Sequence, residues 1–435
     1  MTKPAPVTER RYIVPLAMVT SLFFVWAIGV NLNDVLIQHL KKAFGLTDFQ
    51  SSLIQSAFFG AYALAALPAG WLMQRIGYKR GILTGLLVCA TGTILFIPAA
   101  SVRVYAFFLF ALFVMACGQS VLEVAANPYA TTLGPVESAE RRLNLAQSFN
   151  ATGAFLVVLL GSRFILSGIE YTPAQLAAMS PAQLLSYRMS EANMVKSPYI
   201  VITGIFLFIA VLIFFTKLPE IHESTDSAKG GESPKLGGTL GFPHLLRGVV
   251  AQFFYVGAQV GVASFIIRFS EFTLQGAHEK IAARFLQAHV FGFMMGRFIG
   301  SAIMRKVSPS RLLSVFAAGS LLCVTIILLG SGVPTVAAIV LLGFFHSIMF
   351  PTIFALSIKN LGPYTKLGSS LLVMSIIGGA VCPAIMGRVS DAWNIQRAFL
   401  VPLLCHAYVF YFAMRGYRPS PVTSAPVAIP AREIP

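Results

Sequence analysis

Apolar runs of about 20 residues recur from one end of this chain to the other, and each is long enough to cross a hydrocarbon core of about 30 Å as an α-helix. Of the 435 residues, 56% belong to the apolar set and 11% are charged. An ordinary soluble protein carries about 25% charged residues, so a soluble fold could not cover this much apolar surface. Barrel strands would be shorter and would alternate polar with apolar positions, which leaves helices. The sequence predicts an all-α membrane protein of twelve transmembrane helices, near 13–39, 51–74, 81–100, 104–133, 144–168, 198–216, 245–270, 284–304, 311–331, 334–358, 368–391 and 397–415.

The net charge of +16 is carried by Lys and Arg in the short connections between apolar runs. They do not gather on one face of a domain, so the pattern is that of positive-inside topology and not of a nucleic-acid partner. Arg10, Arg11, Arg75, Lys79, Arg80, Arg141, Arg142, Arg305, Lys306, Lys359, Lys366 and Arg415 fall on alternate connections. An even number of spans puts both termini on one side, and the basic connections make that side cytoplasmic, in a bacterial-type inner membrane. The basic flank before the first run has no small-residue cleavage site and reads as the start of a retained helix. Five cysteines, Cys89, Cys117, Cys323, Cys382 and Cys405, fall inside apolar runs with no C-x-x-C spacing, as buried thiols do.

The stretch from Lys217 to Pro243, rich in Gly, Ser, Glu and Lys, divides the helices six and six. The expected domains are an N-terminal six-helix bundle over 1–216, a flexible cytoplasmic linker over 217–243, a C-terminal six-helix bundle over 244–416 and a flexible tail over 417–435. Tyr171 to Lys196 reads as an external, non-spanning segment with a short surface helix. The halves echo one another at a nearly constant offset: Gly70 with Arg75 matches Gly300 with Arg305, Leu133-Gly134-Pro135 matches Leu361-Gly362-Pro363, and Gly161 matches Gly387. Parallel repeats of this kind form two pseudo-symmetric bundles with a solute site near the midplane between them.

Ionisable groups inside spanning segments are costly, so each is a functional candidate. Asn31, Asp34 and Gln38 share one face of the first helix, although a solvated Asp34 at that helix's outer end fits the same spacing. Gln119, Glu123 and Asn127 form a polar stripe at spacings of four in an otherwise uncharged run, with Glu123 about 16 Å from the inner end of its helix. Desolvation there penalises the charged carboxylate, so Glu123 is suited to gain and lose a proton; a structural acid tied to an Arg is the alternative. The amides of Asn144, Gln147 and Asn150, and Gln252, Tyr255 and Gln259 in the seventh helix, offer hydrogen bonds to a hydroxylated ligand or equally between helices. Arg268, His289, Arg297 and His346 read as helix-end or satisfied interior residues.

No G-x-x-x-x-G-K-[ST] loop or H-E-x-x-H helix is present, so neither ATP-driven pumping nor intramembrane proteolysis is indicated. A mid-depth Glu123 without a repeated ring of charges points to a carrier and away from a channel. The short tails leave no room for the signalling domain of a sensor.

The connection Gly70-Trp71-Leu72-Met73-Gln74-Arg75-Ile76-Gly77-Tyr78-Lys79-Arg80 resembles the helix 2–3 signature of the major facilitator superfamily, with Gln74 where an Asp usually supports the inner gate. Asn31-Leu32-Asn33-Asp34-Val35-Leu36, Glu123 through Tyr129, Arg142 through Asn150, Ala251 through Gln259, and Pro351-Thr352-Ile353-Phe354 through Lys359-Asn360-Leu361-Gly362 resemble the fucose:proton symporter family over about residues 20 to 415. The resemblance implies alternating access by two rocking bundles, Asp34 and Glu123 as the acidic pair for sugar recognition and proton transfer, and no cofactor beyond the coupling ion. It implies H+ as that ion, a small sugar as cargo, the lipid bilayer as surroundings and a monomer as the working unit. A glucose or galactose carrier of the same family is the alternative; Na+ there would draw oxygen ligands from Asn31 and Asn33 beside Asp34. That branch tends to carry Gln at the Glu123 position.

Overall fold

The computed structural model describes residues 6–44, 48–102, 104–165, 175, 178–194, 196–219, 234–274 and 279–419, and for 32–43, 48–52, 160–165, 185, 188, 190–192, 194, 279 and 280 the helical backbone alone. Twelve helical spans occur among them. α1 is Ile13–Phe44. The next helical run, Asp48–Val102, is divided at Gly77, whose φ of 77° and ψ of 176° a side chain would resist, into α2 (48–76) and α3 (78–102). Then follow α4 (Tyr105–Thr132), α5 (Ala139–Ile165) and α6 (Lys196–Phe215). The second half holds α7 (Pro243–Thr273), α8 (Glu279–Ile303) and α9 (Pro309–Leu329). It ends with α10 (Val333–Ser357), α11 (Gly362–Ala392) and α12 (Arg397–Gly416). The expected surface helix is present at Pro181–Met194, against α1 and α6. The cysteines are free, with Cys117 half-buried and the others buried.

By length and composition alone, nine helices among the described residues qualify as membrane-crossing, one of them, Leu53–Val102, covering both α2 and α3. Over their described side chains, which for α5 end at Leu159, α5 and α8 fall short, each diluted by charged and amide residues such as Arg142, Asn144 and Gln147 or Arg284, His289 and Arg297. These two pack against each other across the halves, partly through Phe149 on Phe298 and Phe155 on Phe291. The least apolar spans thus meet across the two halves and turn Arg142, Asn144, Gln147, His289 and Arg297 towards protein, while Met295, Ile299 and Ile303 stay exposed on the other face of α8.

Both Leu-Gly-Pro turns hold their glycine at positive φ, 151° at Gly134 and 53° at Gly362, so the repeat expected at these turns is visible in the backbone. At the first turn Arg142 is buried, not solvated in a connection. It donates to the carbonyls of Ala130 (2.7 Å), Val7 (2.9 Å), Pro135 (3.2 Å) and Thr131, and to Ser138 Oγ (3.0 Å). The C-terminal carbonyls of α4 attract a cation, so α5 starts earlier than its apolar run and carries Arg142 inward. Lys79 serves α6 in the same way, its Nζ reaching Phe214 O at 2.9 Å and Thr216 O at 2.8 Å. At Gly378 of α11 a Cβ would lie 2.1 Å from Phe253 O of α7, so glycine lets these two helices pack closely.

Candidate functional site

One face of α5 holds the two halves together at the end that carries both termini. Glu140, Asn144 and Gln147 follow at spacings of four and three, so they share that face. Glu140 Oε1 pairs with Lys359 Nζ beyond α10 at 3.0 Å. Asn144 Nδ2 donates to Thr352 Oγ1 of α10 at 3.0 Å. Gln147 Oε1 accepts from Arg297 Nη1 of α8 at 2.9 Å, and the same Nη1 also donates to the Gln147 carbonyl. Beside this ladder α2 and α11 touch so closely that a Cβ on Gly70 would lie 2.0 Å from Ser370 Oγ. Towards the opposite end they border an open, mostly apolar groove lined by Ser56, Gly60, Ile377, Ala380, Ala384 and Arg388.

Arg297 is the residue that the sequence reading placed too low. It lies about two turns from the end of α8, yet is only 4% exposed. Its burial is explained by α10, which is broken in mid-span: one segment ends at His346 and the next begins at Met349. Pro351 has no N–H for the carbonyl four residues earlier, so Ser347 O is released from the helix. Arg297 Nε donates to that oxygen at 2.8 Å, its guanidinium stacks on Phe293 at 4.6 Å, and Tyr255 OH donates to the adjoining His346 O at 3.0 Å. Non-helical backbone at membrane depth is tolerated where protein groups satisfy it in this way. The signal available in sequence was Pro351 inside an apolar run together with a cation in a facing one.

Glu123 lies on the other side of this tie. The expected stripe is buried, with Glu123 8% exposed. Asn127 Nδ2 donates back to Glu123 O at 3.2 Å, and Asn127 Oδ1 accepts from Gln147 Nε2 at 2.9 Å. A chain of contacts therefore runs from α4 through Gln147 to Arg297 and the break in α10. Glu123 and Arg297 are within electrostatic range, but among the described residues they form no ion pair, and Glu123 Oε2 is buried without a hydrogen-bond partner. An acid locked to an Arg would not look like this. Gln119 faces α1, where a Cβ on Gly29 would lie 3.0 Å from its Nε2.

The other candidates sit in the same region. Gln252 is fully buried with neither amide atom partnered among the described residues, Tyr255 is buried against His346, and Gln259 is half-buried. Asn150 Nδ2 reaches across to Phe23 O of α1 at 3.2 Å, and Asn31 Nδ2 bonds back to Ala27 O at 2.8 Å. The side chains of Asp34 and Gln38 lie outside the described residues, on a helical stretch of α1. Among the described residues no cluster of His, Cys, Asp and Glu is arranged to hold a metal ion.

The family model of the major facilitator superfamily matches residues 18–370. The chain belongs to the major facilitator superfamily. It is a membrane transporter and not an enzyme, with the superfamily's two six-helix bundles. It is 43% identical over 409 residues to the L-fucose-proton symporter of Escherichia coli strain K12, covering 93% of each chain. It is also 42% identical to the glucose/galactose transporter of Brucella abortus, over 94% of this chain and 95% of that one. Among solved structures it is similar to the Escherichia coli fucose:proton symporter FucP, with a TM-score of 0.86, 41% identity and coverage of 94% of this chain and 99% of that chain. A structure of FucP in the outward conformation matches equally, with a TM-score of 0.86.

Proposed function

We propose that this protein is a proton-coupled symporter that imports L-fucose by alternating access. The observation that carries the reading is a buried Glu123 carboxyl that forms no ion pair among the described residues and lies one contact chain away from the ties between the halves. In the state described here those ties seal the end with the termini, and a solute would enter from the opposite end. Glu123 takes a proton from that side, which removes a buried charge and lets the sugar dock against Asn31, Asp34, Asn150, Gln252, Tyr255 and Gln259. Gln147 joins them by exchanging its hydrogen bond with Arg297 for one to the sugar, and that exchange unlocks the ladder on α5. Once the site opens to the other side, Glu123 loses its proton and the sugar leaves. Proton and sugar must each bind the two conformations unequally, or no coupling follows.

The arrangement implies an N-terminal bundle over 1–216, a linker over 217–243, a C-terminal bundle over 244–416 and a tail over 417–435, with both termini cytoplasmic in a bacterial inner membrane. The working unit is a monomer, because the proposed site is complete within one chain. The second reading is a glucose or galactose carrier, driven by protons or by sodium; near-equal identity to the Brucella abortus transporter favours it. Uptake of radiolabelled L-fucose into proteoliposomes, with an inward proton gradient and after an uncoupler, tests the proposal. Gradient-dependent accumulation blocked by unlabelled L-fucose and not by D-glucose is expected. Brisk glucose or galactose uptake without fucose uptake replaces it with the second reading.

A further inference from the structure

Behind the break in α10 lies a group of buried titratable side chains that this transport cycle does not use. His346 ends the first segment of α10, His406 sits in α12 and His289 in α8, and all three are buried. The Nε2 atoms of His346 and His406 are 2.8 Å apart, with the rings 4.9 Å between centroids at 19°. A single N–H fits between two such nitrogens, so one ring donates and the other accepts, which requires opposite tautomers. What remains is one bare Nδ1 and one Nδ1–H, both buried and without a full hydrogen bond among the described residues. The Pro402 carbonyl lies one turn before His406 within its electrostatic reach, which favours the N–H there and leaves the bare Nδ1 on His346. His289 differs: its Nδ1 is 2.8 Å from Ile339 O, which makes that nitrogen a donor and fixes the ring.

We propose that the His346–His406 pair is a second proton-binding site of this protein, one that accepts a single proton on the bare Nδ1 while the Nε2–Nε2 hydrogen bond is kept. The incoming proton turns the donating ring into an imidazolium with N–H on both nitrogens, and the neutral partner goes on accepting through Nε2. A second proton would set two Nε2–H groups against each other and break the pair, so the capacity is one. The groups around the pair are Tyr255 from α7, which meets His346 edge-on at 6.1 Å, His289 from α8 at 6.1 Å, and Arg297 one residue along the chain at Ser347 O. On α12 the neighbouring position before His406 is Cys405. Arg297 is the permanent charge in this set, and it is positive.

A proton on the pair therefore places a like charge beside the residue that holds Arg297, and like charges in a low-dielectric interior repel strongly. Arg297 is the link to Gln147, so loading the pair loosens the tie between the halves. This consequence rests on the alternating-access reading; the binding of the proton does not.

The test follows the ring nitrogens of isotope-labelled histidine by NMR in the full-length protein in lipid nanodiscs, without sugar, from about pH 8 to about pH 5. The variants H346Q and H406Q assign the two signals among the seven histidines. Both rings should move together through one transition with the coupling between their Nε2 atoms retained. Rings that stay unchanged throughout, or that titrate in two separate steps with the coupling lost at the first, overturn the proposal. In proteoliposomes, counterflow of whichever sugar the uptake assay identifies is then measured against pH. The double variant H346Q/H406Q can keep an amide hydrogen bond between α10 and α12 but has no imidazole to hold the proton, so it should lose one limb of the wild-type profile. An unchanged profile in a protein whose pair does titrate overturns the link to closure. If fucose uptake itself fails, the NMR arm still decides.

Discussion

The two halves of the molecule approach the same Leu-Gly-Pro turn with unlike helices. Glu123 and Pro351 lie the same number of residues ahead of Leu133-Gly134-Pro135 and Leu361-Gly362-Pro363. α4 runs without interruption from Tyr105 to Thr132, even past Pro128, and at the matched position it carries a carboxyl group. α10 carries a proline there and is parted just before it. One half thus holds a buried acid on an unbroken helix, and the other holds released carbonyls bonded by Arg297 and Tyr255, with His346 paired to His406 at the break. Duplication supplies a common frame, and coupling comes from the positions where the copies differ, because a proton bound in one half must be felt in the other.

The comparison breaks most visibly at Glu123. E123Q removes the exchangeable charge but keeps the shape and a hydrogen-bonding amide. Uphill accumulation of sugar should be abolished, with the internal level falling to simple equilibration, while exchange of labelled for unlabelled sugar continues. A variant that still concentrates sugar as well as the wild type would take the proton site away from α4.

Arg297 should give the next largest effect. In R297Q the carbonyl of Ser347 and the amide oxygen of Gln147 are left without their donor in a buried site, at about 1 to 3 kcal/mol for each orphaned group. Both the unfolding temperature and uphill transport should fall. R297K keeps the charge, but a point ammonium cannot reproduce the planar fork that reaches two helices at once. It should therefore recover part of the stability and little of the transport. Full transport in R297K would mean that the charge alone matters.

A smaller and opposite change is expected at Pro351. P351A returns an N–H to Ser347 O, and a proline in a helix interior costs about 3 kcal/mol or more. The variant should unfold at a higher temperature and transport more slowly, since Arg297 loses the acceptor that draws it into the centre. Thermal unfolding in detergent and counterflow in proteoliposomes measure the two sides. Wild-type transport in a straightened α10 would show that the break is only architectural.

Most of the fold was legible because membrane spans announce themselves in composition, and Glu123 was legible because a charge in an apolar run is rare. The α5 amides were read as ligand contacts or interhelical bonds, and in this state Asn144, Gln147 and Asn150 are all bonded between helices. Arg297 was underrated because its partners, Gln147 and the Ser347 carbonyl, belong to distant parts of the chain, and a backbone acceptor leaves no mark in sequence. The break in α10 follows from Pro351 by elementary stereochemistry, but Pro128 sits in α4 without parting it, so the proline alone does not say which helix will open. His346 and His406 meet only because α10 and α12 pack near each other, and no local pattern ties residues so far apart.

The smallest expected effect lies at the outer rung of the α5 ladder, and it separates electrostatics from packing at the contact between the halves. Glu140 and Lys359 form an ion pair at 3.0 Å, with the Glu140 side chain 5% exposed and the Lys359 side chain 42% exposed. Half in water, the pair is worth about 1 kcal/mol or less. E140Q and K359Q should each shift the balance slightly toward opening at this end, by a few-fold in the ratio of the two states. Distance measurements between labels on α5 and α10 would read that shift. The charge-swapped protein E140K/K359E should return to the wild-type ratio if the pair acts by attraction, because the swap preserves it. If the swap behaves like the sum of its parts, the buried Glu140 is serving the neighbouring cation Arg142, which stays in place when the pair is inverted. The contact between the halves would then depend on how each half stabilises itself.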